Sequence, residues 1–254
     1  MQITISSLPT FEAMIFKYLS AYLKHQFTAN TRHGTHSPFV YQLADEVIYD
    51  FSLKKVYTEL LDYRKKLLND PKTAAFVTQI VKGGLKKKRV LELIYRIVKF
   101  HQPAYMLELS ANLGIATGYL AKACPTATLI TIEENVELAK LTEDSLVSLS
   151  NANINLLAGN SAEVFDAVIA ETIQLDLIYL NCGIVNLNYF ELGLAKLNEN
   201  SLVIVEGMHC TTESTNNWES IKNHPDVTVT VDLFSIGLIY FRKGQAKEHF
   251  KLKF

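Results

Sequence analysis

Cysteine is scarce and scattered in this chain. Cys124, Cys182 and Cys210 are odd in number, far apart and without CxxC spacing, which excludes a dense disulfide framework and points to a reduced, cytoplasmic compartment. Charge of one sign is lacking too: 25 Lys and Arg face 26 Asp and Glu, for a formal charge of −1. That removes the global electrostatic case for nucleic acid or an anionic membrane as partner. The first residues carry no basic n-region, and Glu12, Lys17 and Lys24 interrupt their apolar positions, so neither a signal peptide nor a membrane span is expected. There is no internal repeat, low-complexity tract or long linker. The one dense basic cluster, "LKKKRV" at 85–90, lacks the interleaved aromatics of a nucleic-acid site and reads as a solvated turn rather than a phosphate site.

What the chain does have is apolar mass. Its 254 residues are 48% apolar and 20% charged, enough for one large domain with a smaller appendage. Phe11, Met14, Ile15, Tyr18, Leu19 and Tyr22 recur at helical spacing, as in an amphipathic docking helix. A lipid-surface helix is the alternative, disfavoured by a polar face poor in Lys and Arg. Residues 1–100 read as a helical cap region punctuated at Ser37-Pro38, Pro71 and Gly83-Gly84. Ser37 can cap a helix whose first turn holds Pro38. The helix beginning near Ser52 should end at Asn69 or Asp70, because Pro71 disfavours helical geometry in the residue before it.

From 101 to 254 the pattern changes to a Rossmann-like domain. "AYMLEL", "TLITIE", "INLLAG", "LDLIYLN" and "SLVIVE" are nearly continuous apolar runs, as strands covered on both faces must be. Helical stretches separate them. The alternation predicts an α/β fold with a doubly wound, mostly parallel sheet. The last two runs, "VTVTVDLF" and "GLIYFRK", lie too close in sequence for a crossover, so they should close a seven-stranded sheet as an antiparallel hairpin.

Open parallel sheets bind ligands at the carboxyl ends of their strands. Polar residues gather there: Glu108 and the loop "LELSANLG" through Ser110 to Gly114 after the first strand, and Glu133 after the second. Gly159, Asn160 and Ser161 follow the third strand and Asn181 the fourth. Glu133 can accept two hydrogen bonds from a ribose diol. Each residue also has a plain structural reading, the glutamates as surface carboxylates and Asn160 or Ser161 as helix caps.

These motifs, with the tail "NNWESIKNHPDVTVTVDLFSIGLIYFRK", resemble the class I S-adenosylmethionine-dependent methyltransferases, in their small-molecule O-methyltransferase-like branch, over about residues 30 to 254. The resemblance implies S-adenosylmethionine as cofactor, its methionine part held by Glu108 and the backbone of Ser110 to Gly114. Glu133 would take its ribose, and Gly159 to Ser161 would lie near its adenine. Ser110 departs from the pattern, standing where the family usually has glycine. The metal-dependent relatives carry acidic ligands after the fourth and fifth strands, where this chain reads "YLNCGI" and "VEGMHC". Asn181, Glu206 and Gly207 make a poor divalent site, so no catalytic metal is expected. Metal-free transfer needs in-line positioning and a proton acceptor. His209 is the candidate base, with Glu206 as its orienting or alternative partner, against a plain hydrogen-bonding role for the histidine.

His33 and His36 in "TRHGTHSPF" lack further metal ligands nearby and read as a turn packed over the cofactor cleft. Cys182 and Cys210 follow strand ends and read as inert thiols. Two functions remain open: methyl transfer to a small-molecule acceptor, or a catalytically inactive methyltransferase-fold binding or assembly protein. The missing GxGxxG loop and the terminal hairpin disfavour a nicotinamide dehydrogenase. The apolar N-terminal helices could pair two copies as a homodimer.

Overall fold

The computed structural model describes residues 11–34, 36–77, 87–149 and 153–254. Among the described residues, the helices α1 (Phe11–Thr28), α2 (Pro38–Leu43), α3 (Lys55–Asn69) and α4 (Lys88–His101) precede the sheet. The Ser37 hydroxyl caps α2 by accepting from Val40 N–H, and Pro38 occupies its first turn, as the sequence requires. α3 stops at Asn69, with Asp70 already extended ahead of Pro71. Its start, three residues later than expected, follows a turn in which Asp50 accepts from Ser52 N–H and pairs with Lys54.

The basic run departs from expectation. Lys88 to Val90 form the first turn of α4, and the turn reading is corrected there. The reason is that Val90, Leu91, Leu93 and Ile94 must be buried on one face, while Lys88 pairs with Glu92 one turn on. Leu85 and Lys86, like the Gly83-Gly84 punctuation, lie outside the described residues.

Strands and helices then alternate: β1 (Tyr105–Leu109), α5 (Ile115–Ala123), β2 (Thr128–Glu133), α6 (Val136–Leu146), β3 (Asn153–Ala158), α7 (Ser161–Glu171), β4 (Leu177–Leu180), α8 (Leu187–Leu194), β5 (Leu202–Glu206), α9 (Thr212–Asn223), β6 (Val229–Asp232), β7 (Ile236–Tyr240) and β8 (Glu248–Lys251). The strand order is β3-β2-β1-β4-β5-β7-β6-β8. β1 to β5 are parallel, and β7 runs antiparallel between β5 and β6. The sheet thus has eight strands rather than seven. The extra one, β8, pairs parallel to β6 at the edge; its sequence EHFK alternates polar and apolar residues over only four positions, too short a pattern to read.

Side chains alternate across the sheet. Met106, Leu177, Tyr179, Leu202 and Ile204 join a core with α2 to α6, while Leu107, Leu109, Ile178, Leu180, Val203 and Val205 join one with α7 to α9. Both faces are covered, which is why the strands read as apolar runs. The order in which strands are added reverses between the parallel neighbours β1 and β4, and the crevice outside their carboxyl ends is where such a fold places a ligand. Among the described residues no helix is long and apolar enough to cross a membrane.

Candidate functional site at the carboxyl rim

The loop from β1 to α5 makes a tight turn by placing Ser110 (φ 72°), Asn112 (φ 54°) and Gly114 (φ 71°) in the left-handed region. Gly114 is needed there, because a Cβ would press on Thr142, Leu146 and Tyr63. Ser110 and Asn112 adopt this conformation with a Cβ, which costs L-residues about 1–2 kcal/mol each. Their neighbours hold them in it. Ser110 N–H and Ala111 N–H both donate to Ile132 O, at 2.9 and 3.0 Å. The Asn181 side-chain amide donates to Ser110 O at 2.9 Å, and Asn181 N–H to Leu109 O at 3.1 Å. The Thr142 hydroxyl donates to Asn112 O.

Glu133, at the end of β2, closes the other side of this loop. One carboxylate oxygen accepts Asn112 N–H at 2.7 Å, the other Asn135 N–H at 3.1 Å. Burial pushes its pKa up, and the backbone donors only partly offset this. The structure therefore brings Ser110, Gly114, Glu133 and Asn181 around one loop. Glu108 is different. It is fully buried, accepting the hydroxyls of Thr117 on α5 (2.7 Å) and Thr131 on β2 (2.9 Å). The reading of Glu108 as an exposed carboxylate is corrected, because β1 turns position 108 toward α5.

Asn160 and Ser161 stand at the end of β3. The Asn160 side-chain oxygen accepts from Ala162 N–H and Glu163 N–H as the N-cap of α7, and the Ser161 hydroxyl donates to Glu134 at 3.1 Å. Gly159 (φ 149°) turns the chain ahead of them.

Beyond β4 the rim continues through the loops after β4 and β5. They abut so closely that a Cβ on Gly207 would overlap the carbonyl of Gly183. Glu206 accepts the hydroxyl of Tyr179, whose pKa is driven well up by burial and then by Glu206. His209 does not pair with Glu206. Its Nε2 lies 3.0 and 3.2 Å from the two carboxylate oxygens of Asp232 at the end of β6. α1 reaches the same place, with His25 Nε2 3.2 Å from Asp232 Oδ1. Tyr18 and Tyr22 pack edge-on against Phe234. Burial pushes the Asp232 pKa up, but hydrogen bonds from His209 and His25 and their charges outweigh it and hold the carboxyl below the usual range.

Asp232 and His25 were missed in the sequence, although each left a trace. Asp232 is the lone acid ending an otherwise apolar strand run, and His25 lies three positions after Tyr22 in the first helix. The His33–His36 turn is misplaced by the sequence reading. Asn30 bridges to Leu252 and Ser37 accepts from Gln245, so this segment borders β8 and not the β1–β4 crevice. The His33 side chain and Thr35 lie outside the described residues. None of the three cysteines is in a disulfide; burial pushes the Cys124 and Cys210 thiols up.

The sequence matches no protein-family model and no curated protein. Solved structures do resemble the fold. A methyltransferase from Podospora anserina, PaMTH1, bound to SAH, superposes with a TM-score of 0.58 at 10% identity, over 94% of this chain and 100% of that one. The O-methyltransferase TomG from Streptomyces achromogenes, involved in tomaymycin synthesis and in complex with SAM, gives 0.56 at 15% identity over 80% and 95%. An O-methyltransferase from Bacillus cereus in complex with SAH gives 0.56 at 15% over 76% and 94%. This chain has the fold of these methyltransferases.

Proposed function

We propose that this protein binds S-adenosylmethionine and transfers its methyl group to a small-molecule acceptor without a metal. One observation carries the reading: a strained, left-handed loop after β1 meets the Glu133 carboxylate at the point where strand order reverses. The residues fit a nucleoside-bearing cofactor. Glu133 draws backbone donors from Asn112, Asn135 and Glu134, which leaves part of a carboxylate's roughly four acceptor sites for a ribose hydroxyl, and Gly114 leaves room where a side chain would clash. In this reading Ser110, Gly114 and Asn181 border the methionine part, with Glu108 buried behind the end of β1 between Thr117 and Thr131, and Asn160 and Ser161 border the adenine. When bound, the cofactor supplies a sulfonium methyl: the acceptor oxygen forms the new C–O bond as the C–S bond breaks, and the electron pair stays on sulfur.

His209 would take the acceptor's proton, with Glu206 beside it as the alternative base. Metal independence is supported by the donors at this rim, since Asn181 is an amide already bonded to Ser110 and Glu206 holds the Tyr179 hydroxyl. Residues 1–100 act as a cap over the acceptor side, and 101–254 carry the cofactor. Three cysteines outside any disulfide support a cytoplasmic location. The exposed stripe Phe16, Leu19, Leu23 and Phe27 on α1 supports pairing of two copies, which sedimentation equilibrium reads directly.

Titration calorimetry with S-adenosylmethionine and its demethylated product tests the reading. Glu133→Ala should weaken binding about 10-fold or more, as expected for losing charge-assisted hydrogen bonds. Absence of heat from the intact protein at millimolar ligand would sink it. Methyl-labelled cofactor incubated with a panel of phenols, catechols and carboxylic acids then seeks the acceptor. The second reading, a catalytically inactive binding or assembly protein, is favoured by the loop's internal bonds, which already engage Glu133 and Asn181. Cofactor binding with no labelled product anywhere on the panel would support it.

A further inference from the structure

Asp232 has three donors around one buried carboxylate. His209 Nε2 approaches both oxygens at 3.0 and 3.2 Å, His25 Nε2 lies between one of them at 3.2 Å and the Asp232 backbone carbonyl at 3.3 Å, and Phe234 N–H donates to that same carboxylate oxygen at 2.8 Å. A carboxylate only accepts, so each ring nitrogen facing it carries a proton. For His209 this places the proton on Nε2. Its Nδ1 has no hydrogen-bond partner among the described residues and is not sealed from solvent, the side chain being 15% exposed. His25 differs: its Nδ1 is buried with no partner among the described residues.

The backbone is bent to build this arrangement. Phe234 has φ 66°, an outlier for a bulky residue that persists only where its surroundings enforce it. Its ring lies flat on His209, 4.9 Å between centroids and 12° between planes. Tyr18 and Tyr22 brace the other edges of Phe234 at 5.2 and 5.0 Å. The imidazole of His209 is thus fixed in plane by Phe234 and in rotation by Asp232, with one lone pair left open.

We propose that Asp232 is a positioning residue that holds the His209 proton on Nε2 and leaves Nδ1 as the proton acceptor of the reaction, with His25 as the second donor keeping the carboxylate in place. The inference rests on the methyl-transfer reading above. In the step it serves, the acceptor's O–H proton passes to His209 Nδ1 and its oxygen pair forms the C–O bond. The sulfur keeps the pair of the broken C–S bond, and the imidazolium, still donating to Asp232, releases the proton to solvent. The other titratable groups around the pair are Tyr18 and Tyr22 on α1, and Cys210 and Glu206 at the end of β5.

Long-range proton–nitrogen correlation spectra of the full-length 15N-labelled protein at pH 8 test this, with His209→Gln identifying the signal. The intact protein should show His209 protonated at Nε2 and bare at Nδ1. In Asp232→Asn the new side-chain amide can donate to Nε2, so the Nδ1–H form should rise to about half or more. On any methylated panel compound the same variant should lower kcat by about 10²- to 10⁴-fold, with KM and cofactor affinity within about threefold, and Asp232→Glu should recover part of the loss. An Nδ1–H tautomer in the intact protein, or an unchanged tautomer in a folded Asp232→Asn, overturns the proposal. If Asp232→Asn does not fold, the tautomer of the intact protein decides it. Missing cofactor heat would defeat the methyl-transfer reading itself, whereas normal cofactor binding with the wrong tautomer defeats only the role of Asp232.

Discussion

Single residues at the rim carry strain that the rest of the fold maintains. Ser110, Asn112 and Phe234 all sit in the left-handed region, and each is pinned by a hydrogen bond from or to a neighbouring strand end or turn. Ser110→Gly should release about 1–2 kcal/mol of backbone strain against about 0.5–1 kcal/mol of added unfolded-chain entropy. Thermal melting should therefore show an unchanged or slightly raised Tm. Calorimetry should show tighter cofactor binding, since the Cβ that narrows the loop is gone; weaker binding would mean that the serine is itself a contact. Chain order could flag Ser110 and Glu133 because both follow strands. It could not show that Glu108 points inward, since one step along a strand moves a side chain to the opposite face.

Elements are placed by their ends as much as by their faces. Asn135, Asn160 and Asn186 each cap the helix that follows a strand or loop, through side-chain oxygens accepting from the first turn. For Asn160 the cap and the cofactor role make separable predictions. Asn160→Ala should lose about 1 kcal/mol, a Tm fall of roughly 2–4 °C in a chain of this class. Asn160→Asp should keep the cap and hence the Tm, while placing a negative charge near the proposed adenine edge; an equal fall in both variants would show that the amide matters to stability in its own right. Periodicity revealed α1 as a docking helix, and the structure supplies what it docks on: the turn between β6 and β7, through His25, Tyr18 and Tyr22. That partner lies about two hundred positions away in the chain, beyond the reach of any local pattern.

At the scale of the whole molecule, the buried Asp232 cluster ties stability to pH. Its carboxyl pKa is below the unfolded value of about 3.9, so the native state favours the charged form. The stabilisation is complete above the unfolded pKa and is lost as pH falls toward the folded one. Urea midpoints of the intact protein and Asp232→Asn should differ at pH 7, and the gap should begin to narrow only below about pH 4; a constant gap down through acid pH would show that the carboxylate's charge contributes nothing. Composition and apolar runs were sufficient to determine a mostly parallel sheet covered on both faces, its antiparallel hairpin and the rim where chemistry gathers, because burial on both faces writes itself into local sequence. Which polar groups meet at that rim was decided by tertiary structure alone. His209 chose Asp232 over the nearer-in-sequence Glu206 because β7 inserts between β5 and β6 and turns the end of β6 toward the loop after β5. Hydrogen-bond partners are set by distance in space, and no period of the chain encodes it.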